Sequence, residues 1–149
     1  MKLNKEKIRI REITSSDLPF LAKLNGQIFD DADTGHIFNV LKFSFKNRID
    51  EATFLVERID DKESEFIGAI FIENDITFAA KKAAWIRSIF IEPKWQKKGI
   101  GNKLLKKALS KLASKKYSVF LSVKDSNREA IKLYKNMGFV KEKTIMKRS

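Results

Sequence analysis

Near the N-terminus apolar and polar residues alternate with a period of two. Ile8 and Ile10 interleave with Arg9 and Arg11, which predicts a half-buried strand over residues 7–13. Ser16 and Asp17 then supply helix-start chemistry. Pro19 falls in the first turn, where its missing N–H does no harm, and the helix is expected to run toward Phe29. An acidic loop follows, Asp30-Asp31-Ala32-Asp33-Thr34-Gly35, and Val40, Leu41, Phe45 and Ile49 recur at helical spacing over residues 37–49. Two strands, 52–59 and 66–72, flank the polar turn Asp60-Asp61-Lys62-Glu63-Ser64 and read as a hairpin. Asn74 and Asp75 turn the chain into a further strand that ends at Ile91.

The second half is organised around one change of period. The apolar run Trp85-Ile86-Arg87-Ser88-Ile89-Phe90-Ile91 leads through Glu92-Pro93-Lys94-Trp95 into Gln96-Lys97-Lys98-Gly99-Ile100-Gly101. A helix follows, because Leu104, Leu105, Ala108, Leu109 and Leu112 share one arc at about 100° per residue. Lys103, Lys106, Lys107 and Lys111 take the opposite arc. Residues 118–123 form a strand, and Ser126-x-x-Glu129 is a capping box opening a last helix with the stripe Ala130, Ile131, Leu133, Tyr134 and Met137. Gly138 suits the C′ position, and the tail 139–149 has room for one more strand or a small hairpin. The expected fold is α/β: a mixed, mostly antiparallel central sheet with helices on both faces, in the order β-α-α-β-β-β-α-β-α-β(-β). The whole chain, 1–149, reads as one domain.

Composition removes several chemistries. The chain has no cysteine, so disulfides, thiolate metal ligands and a cysteine nucleophile are excluded, and the single histidine, His36, cannot build a histidine-rich metal site. No metal is expected. The first residues carry charge without an apolar h-region, and no apolar run approaches the roughly 20 residues that span a bilayer. A soluble cytoplasmic protein with no membrane partner is the expectation.

The net charge of +12 is local. From Lys94 to Lys124 there are ten lysines and no Asp or Glu, so the 31 basic residues less these ten leave 21 against 19 acidic ones. The excess sits on the segment that joins a strand, a glycine loop and a helix N-terminus. Such a segment aims several backbone N–H groups in one direction, as a bound phosphate requires. A compact ligand with several phosphates fits this charge placement better than a nucleic-acid duplex, which draws on a broader basic face.

Two ordered motifs carry a family resemblance. Gln96-Lys97-Lys98-Gly99-Ile100-Gly101 matches Q/R-x-x-G-x-G/A, and Asn127, Ala130, Tyr134, Gly138 and Phe139 match N-x-x-A-x-x-x-Y-x-x-x-G-F. With this element order, the chain resembles the GNAT superfamily of N-acetyltransferases over nearly its whole length. The resemblance implies acetyl-CoA as co-substrate and an amine as acceptor. It implies that backbone groups of Ile89, Phe90 and Ile91 pair with the pantetheine arm as an added strand. N–H groups of Gln96, Lys97, Lys98, Gly99, Ile100, Gly101 and Asn102 would cradle the pyrophosphate. Lys97, Lys98 and Lys103 would add charge there. Asn127 would touch the pantetheine side, and Tyr134 would protonate the departing sulfur. Without the motif, Tyr134 reads as a core tyrosine with a routine hydrogen bond.

The chain departs from its better-equipped relatives at the base. Several family members carry a carboxylate on the strand where this chain has Trp85, Arg87 and Ser88, and the glutamate of ribosomal-protein N-terminal acetyltransferases is replaced by Ser122. Glu73, Asp75 and Glu92 could serve through water, although each also reads as a solvated strand-end charge. Trp95 is expected to pack against the loop, with stacking on adenine as the alternative. His36 reads as a structural or exposed residue, and the acidic loop would draw a cationic acceptor. The expected activity is acetyl transfer to a small cationic amine or polyamine. Alternatives are a protein N-terminal or lysine acetyltransferase, a non-catalytic acyl-CoA binder, or a nucleic-acid-binding module built on the basic helix. A homodimer contact would fall to the last strands.

Overall fold

The computed structural model describes residues 7–21, 49–61, 63–75 and 82–149. Five strands form one sheet in chain order: β1 Lys7–Glu12, β2 Phe54–Ile59, β3 Ser64–Asn74, β4 Ala83–Ile91 and β5 Ser118–Leu121. The first three pairings are antiparallel and β4–β5 is parallel. A parallel pair needs a crossover, which is supplied by α1, Ile100–Ser114. A second helix, α2, spans Arg128–Asn136 after β5. This is the mixed, mostly antiparallel α/β sheet expected from the sequence.

Period two divides the sheet residues between two faces. Phe54, Val56, Ile70, Ile72, Ala84 and Ile86 face α1 and pack with Ile100, Leu104, Leu105, Ala108 and Leu112. Leu55 and Ala69 lie on the other face with Ile13 and Leu21, the last of these at the end of a helical turn over 18–21. The lysine arc of α1 stays in solvent, as the helical wheel requires. The remainder of the predicted helix toward Phe29, the loop 30–35, His36 and nearly all of the predicted helix 37–49 lie outside the described residues.

Several boundaries differ from the sequence reading: β2 begins at Phe54 instead of 52 and β5 ends at Leu121 instead of 123. The last helix is capped by Asn127, whose side-chain oxygen accepts from the Ala130 N–H at 3.2 Å, and not by Ser126. Both are good capping types; the chain chooses the one whose oxygen reaches that N–H. The second hairpin strand is longer than predicted, 64–74 instead of 66–72, because cross-strand pairing carries polar residues into the ladder. The tail 139–149 forms neither strand nor hairpin, and Val140, Ile145 and Met146 are 82%, 81% and 91% exposed. Gly138, with φ of 94°, ends α2 in the left-handed region as foreseen. Beyond it Lys141, Glu142, Lys143, Lys147 and Arg148 leave too little apolar surface to reward a further strand.

Two local devices shape the sheet. Gly68 pairs with Ile91, and a Cβ there would stand 2.3 Å from the Phe90 carbonyl oxygen and 2.7 Å from Ile91 Cδ1. At the opposite edge, Glu57 on β2 accepts from Arg9 Nε at 2.9 Å and Arg11 Nε at 3.1 Å. The Arg11 guanidinium also grips Asp17 at 2.8 and 2.9 Å. That fork, joined by the Thr14 N–H, holds the Asp17 carboxyl down at about 2.

A depressed carboxylate pKa contributes stability above its unfolded value, and that stability is lost as pH falls through the folded one. Chemical denaturation should therefore show about 1–2 kcal/mol disappearing between roughly pH 4 and pH 2, a component absent from Asp17→Asn. Gly68→Ala should cost about 1–3 kcal/mol by overpacking β3 against β4, read as a lower midpoint in urea.

Candidate functional site: a strand fork beside a glycine loop

β4 has nine residues, but β5 pairs with it only from Ala83 to Ile86. Beyond Ile86 the two strands part, and among the described residues the β5-facing edge of β4 is unpaired. A bulge helps to part them: the register jumps from Ile72↔Ile86 to Phe71↔Ser88, leaving Arg87 as the extra residue. Ile89, Phe90 and Ile91 lie along the open edge. Ile89 and Ile91 pack on the core facing α1, while Phe90 stacks on Phe66 across the other face with ring centres 6.2 Å apart.

The loop after the strand is built to leave N–H groups unmatched. A 3-10 turn, Pro93–Trp95, is closed by the Trp95 N–H to the Glu92 carbonyl at 2.8 Å. Gln96 Nε2 donates back to the Ile91 carbonyl at 2.9 Å and ties the loop to the strand end. Lys97 and Gly99 then adopt positive φ, 61° and 80°. Gly99 is the N-cap of α1, where a serine or aspartate would normally satisfy the first turn from its side chain. No side chain does so here. The first bond of the helix is the Lys103 N–H to the Gly99 carbonyl at 3.2 Å. Among the described residues, the N–H groups of Lys97, Lys98, Gly99, Ile100, Gly101 and Asn102 have no backbone acceptor.

The electrostatics point the same way. Lys97, Lys98 and Lys103 are exposed around this turn, and the first turn of α1 has no acidic residue. Unmatched amides, the positive end of a helix and mobile ammonium groups together make an anion receptor. Trp95 is 8% exposed and buried in the core, with Lys98 Nζ 5.1 Å from its ring centre. The loop-packing expectation thus holds, and the ring is not available to stack on adenine. Its indole N–H is buried without an acceptor among the described residues.

α2 brings Tyr134 to the same core that carries Ile89 and Ile91. Tyr134 is half-buried, with its ring edge-on to Phe139 at 5.8 Å. Burial pushes its pKa above the ordinary tyrosine value, so the hydroxyl keeps its proton through neutral pH. The hydroxyl has no hydrogen-bond partner among the described residues, and the routine core bond of the alternative reading is not made. Asn127 is exposed, and its oxygen is engaged in capping.

The acid–base candidates on β3 and β4 differ from the sequence reading. Glu73 is no solvated strand-end charge: it is 3% exposed and accepts from Arg87 Nε at 2.9 Å. Asp75 accepts from the Trp85 indole N–H at 2.5 Å. Trp85 lies between the Arg87 guanidinium at 4.9 Å and the Phe120 ring at 5.4 Å. The cluster was missed because Glu73 and Arg87 are far apart in sequence. Each does interrupt an apolar strand at a same-face position, and that was the available signal. No group of three or more His, Cys, Asp or Glu suited to a metal occurs among the described residues.

Comparison with known proteins agrees with this geometry. The profile of the acetyltransferase (GNAT) family matches residues 10–139. N-alpha-acetyltransferase 30 of Xenopus laevis is 32% identical over 84 residues, which cover 56% of this chain and 31% of that protein. The spermine/spermidine N(1)-acetyltransferase of Bacillus subtilis (strain 168) is 39% identical over 57 residues, 37% of this chain and 38% of that protein. The chain thus matches about a third of the length of these curated relatives. Among solved structures, Arabidopsis thaliana Naa50 in complex with the bisubstrate analogue CoA-Ac-MVNAL superposes with a TM-score of 0.69 at 23% identity, covering 93% of this chain and 86% of that one. The aminoglycoside N-acetyltransferase AAC(6')-Iy in complex with CoA gives a TM-score of 0.69 at 14% identity, covering 100% and 99%. At those identities the likeness is one of fold, and it is the profile match, spanning both motifs, that places this chain in the GNAT acetyltransferase family.

Proposed function

We propose that this protein transfers the acetyl group of acetyl-CoA directly to a primary amine. The observation that carries the reading is the open edge of β4 leading straight into a turn of unmatched N–H groups. The pantetheine arm would extend the ladder along Ile89, Phe90 and Ile91, and the pyrophosphate would rest on the amides from Lys97 to Asn102; the Gln96 N–H, expected to join them, donates instead to the Pro93 carbonyl at 3.2 Å. Lys97, Lys98 and Lys103 would add point charges. The exposed amide of Asn127 would meet the pantetheine side while its oxygen caps α2.

Direct attack follows from composition, since no cysteine is present to carry the acetyl group. A lysine-like ammonium must lose a proton, which costs about 4–5 kcal/mol at pH 7. Glu73 is committed to Arg87, which leaves Asp75 or Glu92, acting through water, to take that proton. At the other end Tyr134 donates to the departing thiolate. In water that transfer is uphill by roughly 2 kcal/mol; burial of Tyr134 widens the gap, and desolvation of the thiolate must offset both.

The acceptor we propose is a small cationic amine or polyamine. Support comes from the acidic run at residues 30–33 and from the likeness to a spermine/spermidine acetyltransferase. A second reading, acetylation of a protein N-terminus, is favoured by the longer match to N-alpha-acetyltransferase 30. Thiol release in the presence of spermidine, against release with short peptides, separates the two.

Titration calorimetry should detect acetyl-CoA binding to the wild type. Gly99→Val should weaken it roughly tenfold, because a β-branched residue at a left-handed φ costs about 1–2 kcal/mol. No heat from acetyl-CoA would remove the basis of the assignment. Tyr134→Phe should lower kcat by about a hundredfold while leaving the affinity for acetyl-CoA within twofold of the wild type. An unchanged kcat would show that another group protonates the sulfur.

A further inference from the structure

On the sheet face turned away from α1, at the apex of the fork, lies a group that the reaction above does not use. Register places it there. Glu73 pairs with Trp85 and Trp85 with Phe120, while the alternate residues Ile72, Ile86 and Leu121 belong to the core under α1. Arg87 is both the extra residue of the bulge and the first residue past the parallel ladder.

Its side chain is held from two directions. Nε donates to Glu73, whose side chain is only 4% exposed, and the guanidinium lies 4.9 Å from the centre of the Trp85 ring. One contact sets where the guanidinium sits and the other sets its plane. The Arg87 side chain is itself 37% exposed, and its Nη groups have no acceptor among the described residues. A guanidinium fixed in this way presents parallel N–H donors in the geometry that a carboxylate accepts.

We propose that Arg87 receives a carboxylate of the acceptor, so that the favoured substrates are cationic amines that also carry a carboxylate, such as diamino acids, over plain polyamines. This rests on the fork being where acetyl transfer occurs. α1 and Tyr134 pack on one face of the sheet and Arg87 lies on the other, so in this proposal the amine would come to a thioester in the fork from the Arg87 side. The wall it passes also holds the carboxylates of Glu73 and Asp75, so an ammonium on the same molecule is not repelled.

The experiment uses matched acceptor pairs, free lysine against cadaverine and ornithine against putrescine, in a thiol-release assay. The readout is the ratio of kcat/KM within each pair. In the wild type the carboxylate-bearing member should lead by about tenfold or more, carried by KM, as for a hydrogen-bonded charge pair. Arg87→Lys keeps a cation beside Glu73 but removes the fork, and should reduce that ratio to within twofold of unity. The neutral pair Glu73→Gln with Arg87→Gln should do the same, and it guards against misfolding of a variant with an unpaired buried charge. If diamines are acetylated as well as diamino acids, or the ratio survives both variants, the inference fails and the proposed activity stands. If acetyl-CoA binds and short peptides are acetylated while no small amine of either kind is, the inference and the small-amine acceptor fall together and the N-terminal reading stands.

Discussion

Two parallel strands share a ladder only while they run side by side, and here β4 and β5 do so for the four pairs between Ala83↔Ser118 and Ile86↔Leu121. The acetyl-CoA site proposed above depends on that early parting. An unpaired strand edge in a sheet interior would leave peptide groups without partners, a standing cost unless something supplies them. The fold places that edge immediately before a turn that also withholds its own partners, with Gly99 where a capping side chain would ordinarily sit. A long ligand with an amide-bearing arm and a phosphate-bearing end would satisfy both deficits at once. The bulge residue Arg87 directly follows the last parallel pair, and farther along β4 the bare Cα of Gly68 lies opposite Ile91, where a Cβ would meet the Phe90 carbonyl.

The charge distribution follows the same logic at longer range. Ten lysines without an acidic residue between Lys94 and Lys124 leave the rest of the chain close to neutral. α1 buries Leu104, Leu105, Ala108 and Leu112 on one side and carries its lysines on the other. The helix therefore contributes twice, through the packing that anchors it and through a positive potential at its N-terminal end, where the helix dipole already favours an anion. On the far face of the sheet the charges are of both signs and are interlocked, with Glu73, Arg87, Trp85 and Asp75 forming one linked set. The two faces thus differ in charge, a lysine-coated helix lying over one and an interlocked set of both signs lying on the other.

The parts of the site that were legible in the sequence are those in which local backbone conformation is the function. A strand followed by a glycine turn and an amphipathic helix orients amides, and Tyr134 falls on the apolar stripe of the last helix. Each follows from spacing within a short segment, and the structure keeps them. The misreadings share a different cause. Ser126 and Asn127 are equivalent as capping types, and only the path of the chain out of β5 decides which oxygen meets the Ala130 N–H. The tail was given a strand because its composition permits one, but pairing requires a reward in buried surface that its charges withhold.

By itself, then, the sequence determined the order and type of most elements and the loop chemistry, and it pointed to the family, because periodicity and glycine stereochemistry act over a few residues. The tertiary structure alone decided where β4 leaves β5, that Glu73 is buried and bound to Arg87, and that Trp85 stands between that pair and Phe120. Those facts depend on register between strands far apart in the chain, and a side chain's partner across a sheet is set by that register and by no local pattern.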